Sequence, residues 1–340
     1  MARIAYFVHG RGRGHAARAR AVLAALEARG HELAVHGGGQ AESLLGSRPD
    51  FTAVRAVLPG SGLLPSIAQR LPADVRRFRR TRPDVVISDS DLTSVHAAAA
   101  LGIPTLALGH GLVFAHCELP PGLPRLGRLR ETLNSGSSSW IAWRKVVVHF
   151  ADAPVKTPSA VLARPDLRDG LEPSTTDEGF VLTYFRDDNG QDALRALLAT
   201  GRRVVCFTDG EVPEGVVRRA PSAAGFAAAL ARCGAVVASA GNHLPAECAM
   251  VGKPLLGVYD RGDLEQRMNG ALLEHAGFGL TAPLEQVTPE LLVRFFAEPF
   301  PRAGVGEAVR ALPPVSAVVP ALVDEALAGP GGRGSERHDR

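Results

Sequence analysis

The 340-residue chain has few of the features that mark metal, redox or membrane proteins. Its four cysteines, Cys117, Cys206, Cys233 and Cys248, lie far apart without a C-x-x-C spacing, so they favour neither a zinc site nor a disulfide framework. No apolar run is as long as a membrane-spanning helix, which needs about 18 residues. The first ten residues, MARIAYFVHG, are apolar over too few positions to form a signal peptide. We therefore expect a cytoplasmic protein with reduced, buried thiols.

Charge and aromatic content argue against nucleic-acid binding. The net charge is only +3, aromatic residues make up 5% of the chain, and no basic patch is interleaved with aromatic residues. The five arginines between Arg76 and Arg82 are expected on a solvated helix face rather than against a membrane or an acidic acceptor. A hydrophobic content of 46% over this length favours a soluble globular protein with two domains.

Apolar strands alternate with amphipathic helices along both halves of the chain, which predicts an α/β fold. We expect two doubly wound, Rossmann-like domains that face each other across a cleft. The predicted boundaries are a first domain at 1–160, a linker at 161–178, a second domain at 179–302, a terminal helix at 303–329 and a disordered tail at 330–340. A helix is also expected over residues 133–150.

The stretch 236–279 predicts a site for a phosphorylated ligand. A short strand is followed by Gly241 and by a helix, whose first N–H groups, those of Asn242, His243 and Leu244, have no partner within the helix. With the helix dipole, these groups favour a diphosphate. Glu247 is expected in the first helical turn, where its carboxylate could accept ribose hydroxyls, although acids are common in first turns.

Further polar residues follow predicted strands. Glu265 and Gln266 open the next helix, with Asn269 one turn on, and such groups suit sugar hydroxyls, although a polar face is usual on an exposed helix. Arg186 stands at a strand end where it could bind a phosphate. His110 follows a strand of the first half and is expected to face the cleft.

His15 is the residue of most interest in the first half, although a lone histidine at this place is more commonly a helix-capping or loop-packing residue. It begins the first helix, where the dipole disfavours the imidazolium and leaves a neutral ring that can accept a proton. Asp89 ends a strand at the carboxyl edge of the predicted sheet, where it would fix the tautomer of His15 if the two meet; capping the next helix is the alternative. The Gly-rich turn before His15 only weakly indicates a dinucleotide site, because the second strand ends without an acidic residue for an adenosine ribose.

These residues together resemble the donor-binding segment of GT-B glycosyltransferases, which include MurG and the plant and antibiotic-tailoring transferases that use UDP- or TDP-sugars. The resemblance is carried by Gly241, Glu247, Gly252, Pro254, Glu265, Gln266, Asn269 and Gly277. The string Gly14-His15-Ala16-Ala17-Arg18 is similar to a bacterial and archaeal branch that has a G-H-x-x-R start.

The resemblance implies a role for each site residue. His15 would be the general base and Asp89 its orienting partner, with Gly14 and His110 on the acceptor side in the first domain. The implied donor site consists of Arg186, Gly241, Asn242 and His243 for the diphosphate, Glu247 for the ribose, and Glu265 with Gln266 for the hexose. The terminal helix would cross back to the first domain. Two departures are Ser239, where many members have a histidine that His243 would replace, and Glu265 in place of an aspartate.

The sequence therefore predicts an inverting glycosyltransferase that moves a hexose from a UDP- or TDP-sugar to a hydroxyl of a small-molecule or lipid-linked acceptor, in natural product biosynthesis. No metal or other cofactor is expected, because the only Asp-x-Asp string, at Asp89 and Asp91, lies at a first-domain strand end. Two alternatives are a UDP-sugar 2-epimerase of the same fold and a non-catalytic nucleotide-sugar-binding protein. Release of free nucleotide only in the presence of an acceptor would separate the transferase from the epimerase.

Overall fold

The computed structural model describes residues 1–10, 13–57, 62–168, 171, 176–186 and 190–329, apart from the side chains of Arg13 and Ala17. The predicted disordered tail at 330–340 lies outside these residues. Within the described ranges, no helix is both long and apolar enough to cross a membrane.

The first sheet has seven parallel strands in the order 3-2-1-4-5-6-7. They are β1 (Arg3–Val8), β2 (Glu32–Gly37), β3 (Phe51–Ala53), β4 (Val85–Asp89), β5 (Thr105–Gly109), β6 (Arg144–Val148) and β7 (Ala160–Ala163). The helices between them are α1 (Arg13–Glu27), α2 (Gln40–Leu45), α3 (Leu63–Thr81), α4 (Leu92–Ala99), α5 (Leu112–His116) and α6 (Arg125–Ser137). The central strands are continuous apolar runs because helices cover both faces, and all five residues of β4 are buried.

The second sheet has six parallel strands in the order 10-9-8-11-12-13. They are β8 (Phe180–Tyr184), β9 (Arg203–Phe207), β10 (Val216–Arg219), β11 (Ala235–Ser239), β12 (Leu255–Tyr259) and β13 (Gly279–Pro283). The helices of this half are α7 (Gln191–Ala199), α8 (Ala223–Arg232), α9 (His243–Val251), α10 (Leu264–His275), α11 (Pro289–Ala297), α12 (Val305–Ala311) and α13 (Val315–Ala328). The predicted fold class, two doubly wound Rossmann-like α/β domains, is confirmed.

The strand order reverses between β1 and β4 in the first sheet and between β8 and β11 in the second. In open α/β sheets, ligands bind beyond the carboxyl ends of the strands at such a reversal. His9 and Asp89 lie at the first of these points, where the His9 amide donates to the Asp89 carbonyl at 3.0 Å. Arg186 and Ser239 lie at the second, where the Arg186 amide donates to the Ser239 hydroxyl at 2.9 Å.

The helix predicted over residues 133–150 is wrong beyond Ser137. Helix α6 ends at Ser137, and β6 pairs in parallel with both β5 and β7. The sequence of β6, RKVVV, carries a run of β-branched valines that are buried in the sheet, and so short an apolar run fits a strand as well as a helix. The first sheet also continues through β7, into the first residues of the range predicted as the linker.

The last helix, α13, packs against α1. Val315 and Val319 of α13 lie in one hydrophobic cluster with Ile4 of β1 and Leu23 of α1. Two backbone hydrogen bonds join the residue after β7 to the start of α13: the Arg164 amide donates to the Pro313 carbonyl, and the Val315 amide donates to the Arg164 carbonyl. The end of the chain therefore completes the core beneath the first sheet.

Candidate active site

His15 and Asp89 meet at the carboxyl edge of the first sheet. His15 Nδ1 lies 2.7 Å from Asp89 Oδ1, with the Asp89 side chain fully buried and the His15 side chain 24% exposed. Helix α1 brings a third residue to the pair, because Arg18 lies one turn after His15 on the same face. Arg18 Nε donates to Asp89 Oδ2 at 2.9 Å, and its Nη2 donates to Oδ1. Asp89 is thus held from both sides.

The charge on Asp89 sets the tautomer of His15. Burial raises the pKa of the Asp89 carboxyl, but the Arg18 guanidinium and His15 outweigh it and lower the pKa to about 2. An ionised carboxylate only accepts hydrogen bonds, so the proton in the 2.7 Å contact lies on His15 Nδ1. Arg18 Nη2 also lies 2.9 Å from this nitrogen, but it donates to Asp89 Oδ1, its shorter contact. Nε2 of the neutral ring then carries the lone pair. The pairing with Asp89 therefore leaves His15 with a free basic nitrogen.

Gly14, beside His15 at the start of α1, is exposed and has open space where a side chain would be.

Across from this pair, helix α9 presents its N-terminus. The Gly241 amide donates back to the Ser239 carbonyl at 2.7 Å, which makes the tight turn predicted there. Asn242 is the residue before the first turn, and its Nδ2 donates to the Val148 carbonyl of the first domain at 3.3 Å. Two polar atoms at this helix end, Asn242 Oδ1 and His243 Nε2, are buried and have no hydrogen-bond partner among the described residues. They are available to a ligand at the helix N-terminus.

His243 faces the first domain. Its pKa falls to about 3, chiefly through burial and then through the positive charges of Arg18 and Arg168, with His15 adding to the same effect. The ring is therefore neutral near neutral pH and can donate one N–H without bringing a second positive charge next to Arg18. His243, the first residue of α9, therefore places a neutral imidazole at the helix N-terminus, near Arg18 and His15.

Glu247 lies deeper in α9 than the sequence predicted. The helix begins at His243 and has no acidic residue in its first turn, so Glu247 belongs to the second turn, where it is 2% exposed. Its Oε2 lies 3.1 Å from Arg168 Nη1, and it accepts a hydrogen bond from the Arg168 backbone. The Arg168 guanidinium lies 4.4 Å from the centre of the Phe226 ring. Burial raises the pKa of Glu247, and Arg168 opposes that rise.

The start of α10 has its own chain of polar contacts. Asp263 caps the helix by accepting from the Gln266 amide at 3.1 Å, and its Oδ2 accepts from Gln266 Nε2 at 3.1 Å. Arg186 Nη1 lies 3.5 Å from the same Asp263 Oδ2. Gln266 is buried, whereas Glu265, one residue earlier in the helix, is exposed. The predicted donor residues Arg186 and Gln266 are thus joined through Asp263.

His110, predicted to face the acceptor, is buried and bridges the two domains. Its Nε2 lies 2.6 Å from Asn269 Oδ1 of α10, and its Nδ1 lies 3.3 Å from the Val148 carbonyl. Burial lowers the pKa of His110, and the neutral ring places its one N–H on the shorter contact, to Asn269. Asn269 in turn donates to the Ala240 carbonyl at 3.3 Å. His110 therefore fixes the α10 side of the cleft to the first sheet.

Four site residues had no assigned role in the sequence. Arg18 could have been placed by its i, i+3 spacing from His15, and Asp263 by the capping pattern Asp-x-x-Gln before α10. Arg168 has no local signal, since it reaches Glu247 from the segment after β7. Glu131 of α6 has none either: it is 8% exposed, and burial and the neighbouring Glu265 raise its pKa.

In the described part of the chain, no three His, Cys, Asp or Glu side chains are grouped to hold a metal ion. All four cysteines are buried and free, as the sequence predicted.

The sequence profile described as Glycosyl transferase family 1 matches residues 2–299 of the chain. No curated protein matches it by sequence. Among solved structures, the fold is similar to that of MurG from Acinetobacter baumannii, with 17% identity, TM-score 0.67 and coverage of 96% of this chain and 100% of the other. The calicheamicin glycosyltransferase CalG4 has 14% identity and a TM-score of 0.70, with coverage of 97% of this chain and 99% of the other. The glycosyltransferase VinC in complex with DTDP has 19% identity and a TM-score of 0.63, with coverage of 96% of this chain and 100% of the other. Because the family profile matches most of its length, the chain belongs to glycosyl transferase family 1. It has the fold of these enzymes and is a GT-B glycosyltransferase.

Proposed function

We propose that this glycosyltransferase is an inverting, metal-independent enzyme that moves a hexose from a UDP- or TDP-sugar to a hydroxyl of a small-molecule or lipid-linked acceptor in natural product biosynthesis. The first domain would bind the acceptor and the second the donor. The observation that carries the proposal is the 2.7 Å contact from His15 Nδ1 to the buried Asp89, which leaves Nε2 free to take a proton. The DTDP bound by the structural relative VinC supports a nucleoside diphosphate as the donor's leaving group.

In the proposed reaction, His15 Nε2 removes the proton of an acceptor hydroxyl as its oxygen attacks the anomeric carbon of the donor. The bond from that carbon to the diphosphate oxygen breaks, and attack from the opposite face inverts the anomeric configuration. Asp89 stabilises the imidazolium that forms, because its carboxylate stays ionised beside Nδ1. Arg18 orients Asp89 without touching the substrate. The nucleoside diphosphate leaves with the electron pair.

The leaving diphosphate gains negative charge, and the α9 N-terminus supplies the compensating groups. The first N–H groups of the helix point at this place together with its dipole. Neutral His243 can add a side-chain N–H from its unpartnered Nε2, and Arg186 lies at the neighbouring strand end. Fixed donors aimed at developing charge are worth about 3 kcal/mol each in other enzymes. This array takes the role that a divalent cation plays elsewhere, which is why we propose metal independence.

The sugar and ribose contacts follow from the two helices. Glu247 is proposed to accept the ribose hydroxyls, which requires that its carboxylate exchange the contact with Arg168 for the ligand. Glu265 and Gln266 at the start of α10 are proposed to hold the hexose. Gln266 is already oriented by Asp263, so its amide is pre-positioned for a hydroxyl group.

The test compares wild type with His15→Gln and with His275→Gln, which alters an exposed histidine of α10. Each protein is given UDP- and TDP-hexoses with a panel of hydroxyl acceptors, and release of nucleoside diphosphate is followed with and without a chelator. We expect release only with an acceptor, unchanged rates with the chelator, and a fall of about 10²- to 10⁴-fold for His15→Gln alone. NMR of the product should show the inverted anomeric configuration.

Binding is measured separately, because the substitution could lower the rate by unfolding the site. A nucleoside diphosphate at a hundredfold excess over its dissociation constant should stabilise both wild type and His15→Gln by about 3 kcal/mol in thermal unfolding. Activity of His15→Gln within a few-fold of wild type would refute the assigned base. An epimerised donor without transfer would favour the 2-epimerase, and binding without turnover in every protein would favour the non-catalytic binder.

A further inference from the structure

Helix α6 exposes a stripe of leucines. Leu126, Leu129 and Leu133 follow the spacing i, i+3, i+7, which places them on one face of the helix, and their exposed fractions are 78%, 57% and 52%. Trp140 and Ile141, just after the helix, are also about half exposed. We call these five residues the leucine face.

The leucine face is unusual for this chain. Among the described residues, five of the twelve large hydrophobic side chains that are exposed lie between residues 126 and 141, whereas the others are scattered. Single exposed apolar residues are normal, but a contiguous patch marks an interaction site. Trp140 joins the patch because its indole lies directly against Gly136 in the last turn of α6, where no side chain would fit.

The opposite face of α6 is fixed, so the helix cannot rotate to bury its leucines. A Cβ added at Gly127 would meet Leu264 and Met268 of α10 at 3.0 Å, which shows how closely the two helices approach. Glu131 lies on the same inner side and is buried. The leucine face is therefore a permanent surface at the junction of the two domains.

The exposed charges of α6 all have one sign. Arg125, Arg128 and Arg130 are exposed, and Glu131, the helix's one acidic residue, is buried. At 100° per residue, Arg125 and Arg130 fall on opposite flanks of the leucine stripe. The surface therefore combines an apolar centre with a cationic rim, a pattern that suits the interface of an anionic membrane.

We infer that α6 docks on the surface of an anionic lipid bilayer, with its axis in the plane of the interface. The leucines would enter the boundary between headgroups and acyl chains, Trp140 would lie at headgroup level, and Arg125 and Arg130 on the two flanks would contact lipid phosphates. A second copy of this chain fits less well, because a two-fold interface over α6 would bring two sets of arginines together without an exposed acid on either helix.

Docking would hold the cleft at the bilayer surface, because the inner side of α6 packs on the helix that carries Gln266 and Asn269. If the proposed function holds, the acceptor would then be one carried by a lipid. The binding test below does not depend on turnover, so membrane docking and the proposed reaction can fail independently.

The experiment measures sedimentation of the full chain with vesicles of phosphatidylcholine alone or mixed with phosphatidylglycerol. A triple variant, Leu126→Ser with Leu129→Ser and Leu133→Ser, is compared with a control triple at scattered exposed positions, Leu44→Ser with Leu64→Ser and Val293→Ser. We expect binding to the mixed vesicles only, lost in the α6 triple and kept in the control. Replacing Arg125 and Arg130 by glutamine should weaken it by about 30-fold and reduce its salt dependence.

Three outcomes would overturn the inference. They are no sedimentation of wild type with the mixed vesicles, equal binding to both vesicle types, and equal loss in the control triple. Light scattering adds one more: a wild-type dimer that the α6 triple abolishes would make a second copy the occupant. Circular dichroism and thermal unfolding of each variant exclude misfolding as the cause of a lost signal.

Discussion

The contact between Arg18 and Asp89 allows the role of His15 to be tested apart from folding. In Asp89→Asn, the side-chain amide can turn an N–H toward His15 Nδ1, which would move the ring proton to Nε2 and remove the basic lone pair from the acceptor side. We therefore expect the rate constant of transfer to fall by about 10²- to 10⁴-fold. Nucleotide affinity should stay unchanged, because Asp89 lies in the first domain.

The same substitution should also destabilise the fold. The Arg18 side chain is 2% exposed, and Asp89→Asn leaves its guanidinium buried without a counter-ion. Breaking a buried ion pair from one side costs about 3 to 5 kcal/mol, whereas replacing both partners by apolar or neutral groups of similar size is often close to neutral. The double variant Arg18→Met with Asp89→Asn should therefore regain most of the lost stability but none of the lost activity.

The measurement is a double-mutant cycle on two quantities, the free energy of unfolding in urea and the rate of nucleoside diphosphate release at saturating donor. We expect a large coupling energy in stability and an activity loss common to every variant that carries Asp89→Asn. Recovery of activity in the double variant would refute the tautomer argument, because the loss would then have come from the uncompensated charge. Activity of Asp89→Asn within threefold of wild type would refute the pairing itself.

Two further predictions concern other residues. Glu247→Gln should weaken UDP or TDP binding by about 10- to 100-fold in calorimetry, since ribose hydroxyls would lose a charged acceptor, whereas the exposed Glu298→Gln should bind like wild type; equal affinities would remove Glu247 from the donor site. Burial, followed by the charges of Arg77 and Arg70, lowers the pKa of His36 in the folded protein to about 3, whereas the unfolded value is about 6.5. The contribution of His36 to the free energy of unfolding is therefore complete above about pH 6.5 and declines as the pH falls toward 3. Urea unfolding across this range should show a shallower decline for His36→Leu than for wild type or the exposed His275→Asn, and identical slopes would contradict the assignment.

The strand-end residues could be predicted from the sequence because the fold fixes where they go. Once β1 and β4 are parallel neighbours, the residues after Val8 and at Asp89 must share one sheet edge, and the helix after β1 must begin there. The same rule placed Arg186 near the turn after β11, where its amide meets Ser239. Position along a strand thus carried most of the information about the site.

Contacts made across long sequence distances could not be predicted in this way. Arg168 reaches Glu247 from a connecting segment, and His110 meets Asn269 only because the two domains approach each other at that point. No local sequence pattern predicts either of these two contacts. The helix expected over residues 133–150 failed for a different reason, because the buried valines of β6 satisfy either periodicity and only their neighbours in the sheet decide between them.

The packing of α13 against α1 has a consequence for biosynthesis. Val315, Val319 and Val323 complete the hydrophobic cluster that Ile4 and Leu23 begin, so the domain of the first sheet needs α13 to be synthesised before its core can close. The second domain lies wholly between these segments, and can bury its own core earlier. Its folding would then shorten the effective loop between α1 and α13, which lowers the entropy lost on closing the first core. The helix that carries His15 therefore gains its packing partner on this side only after α13 has been synthesised.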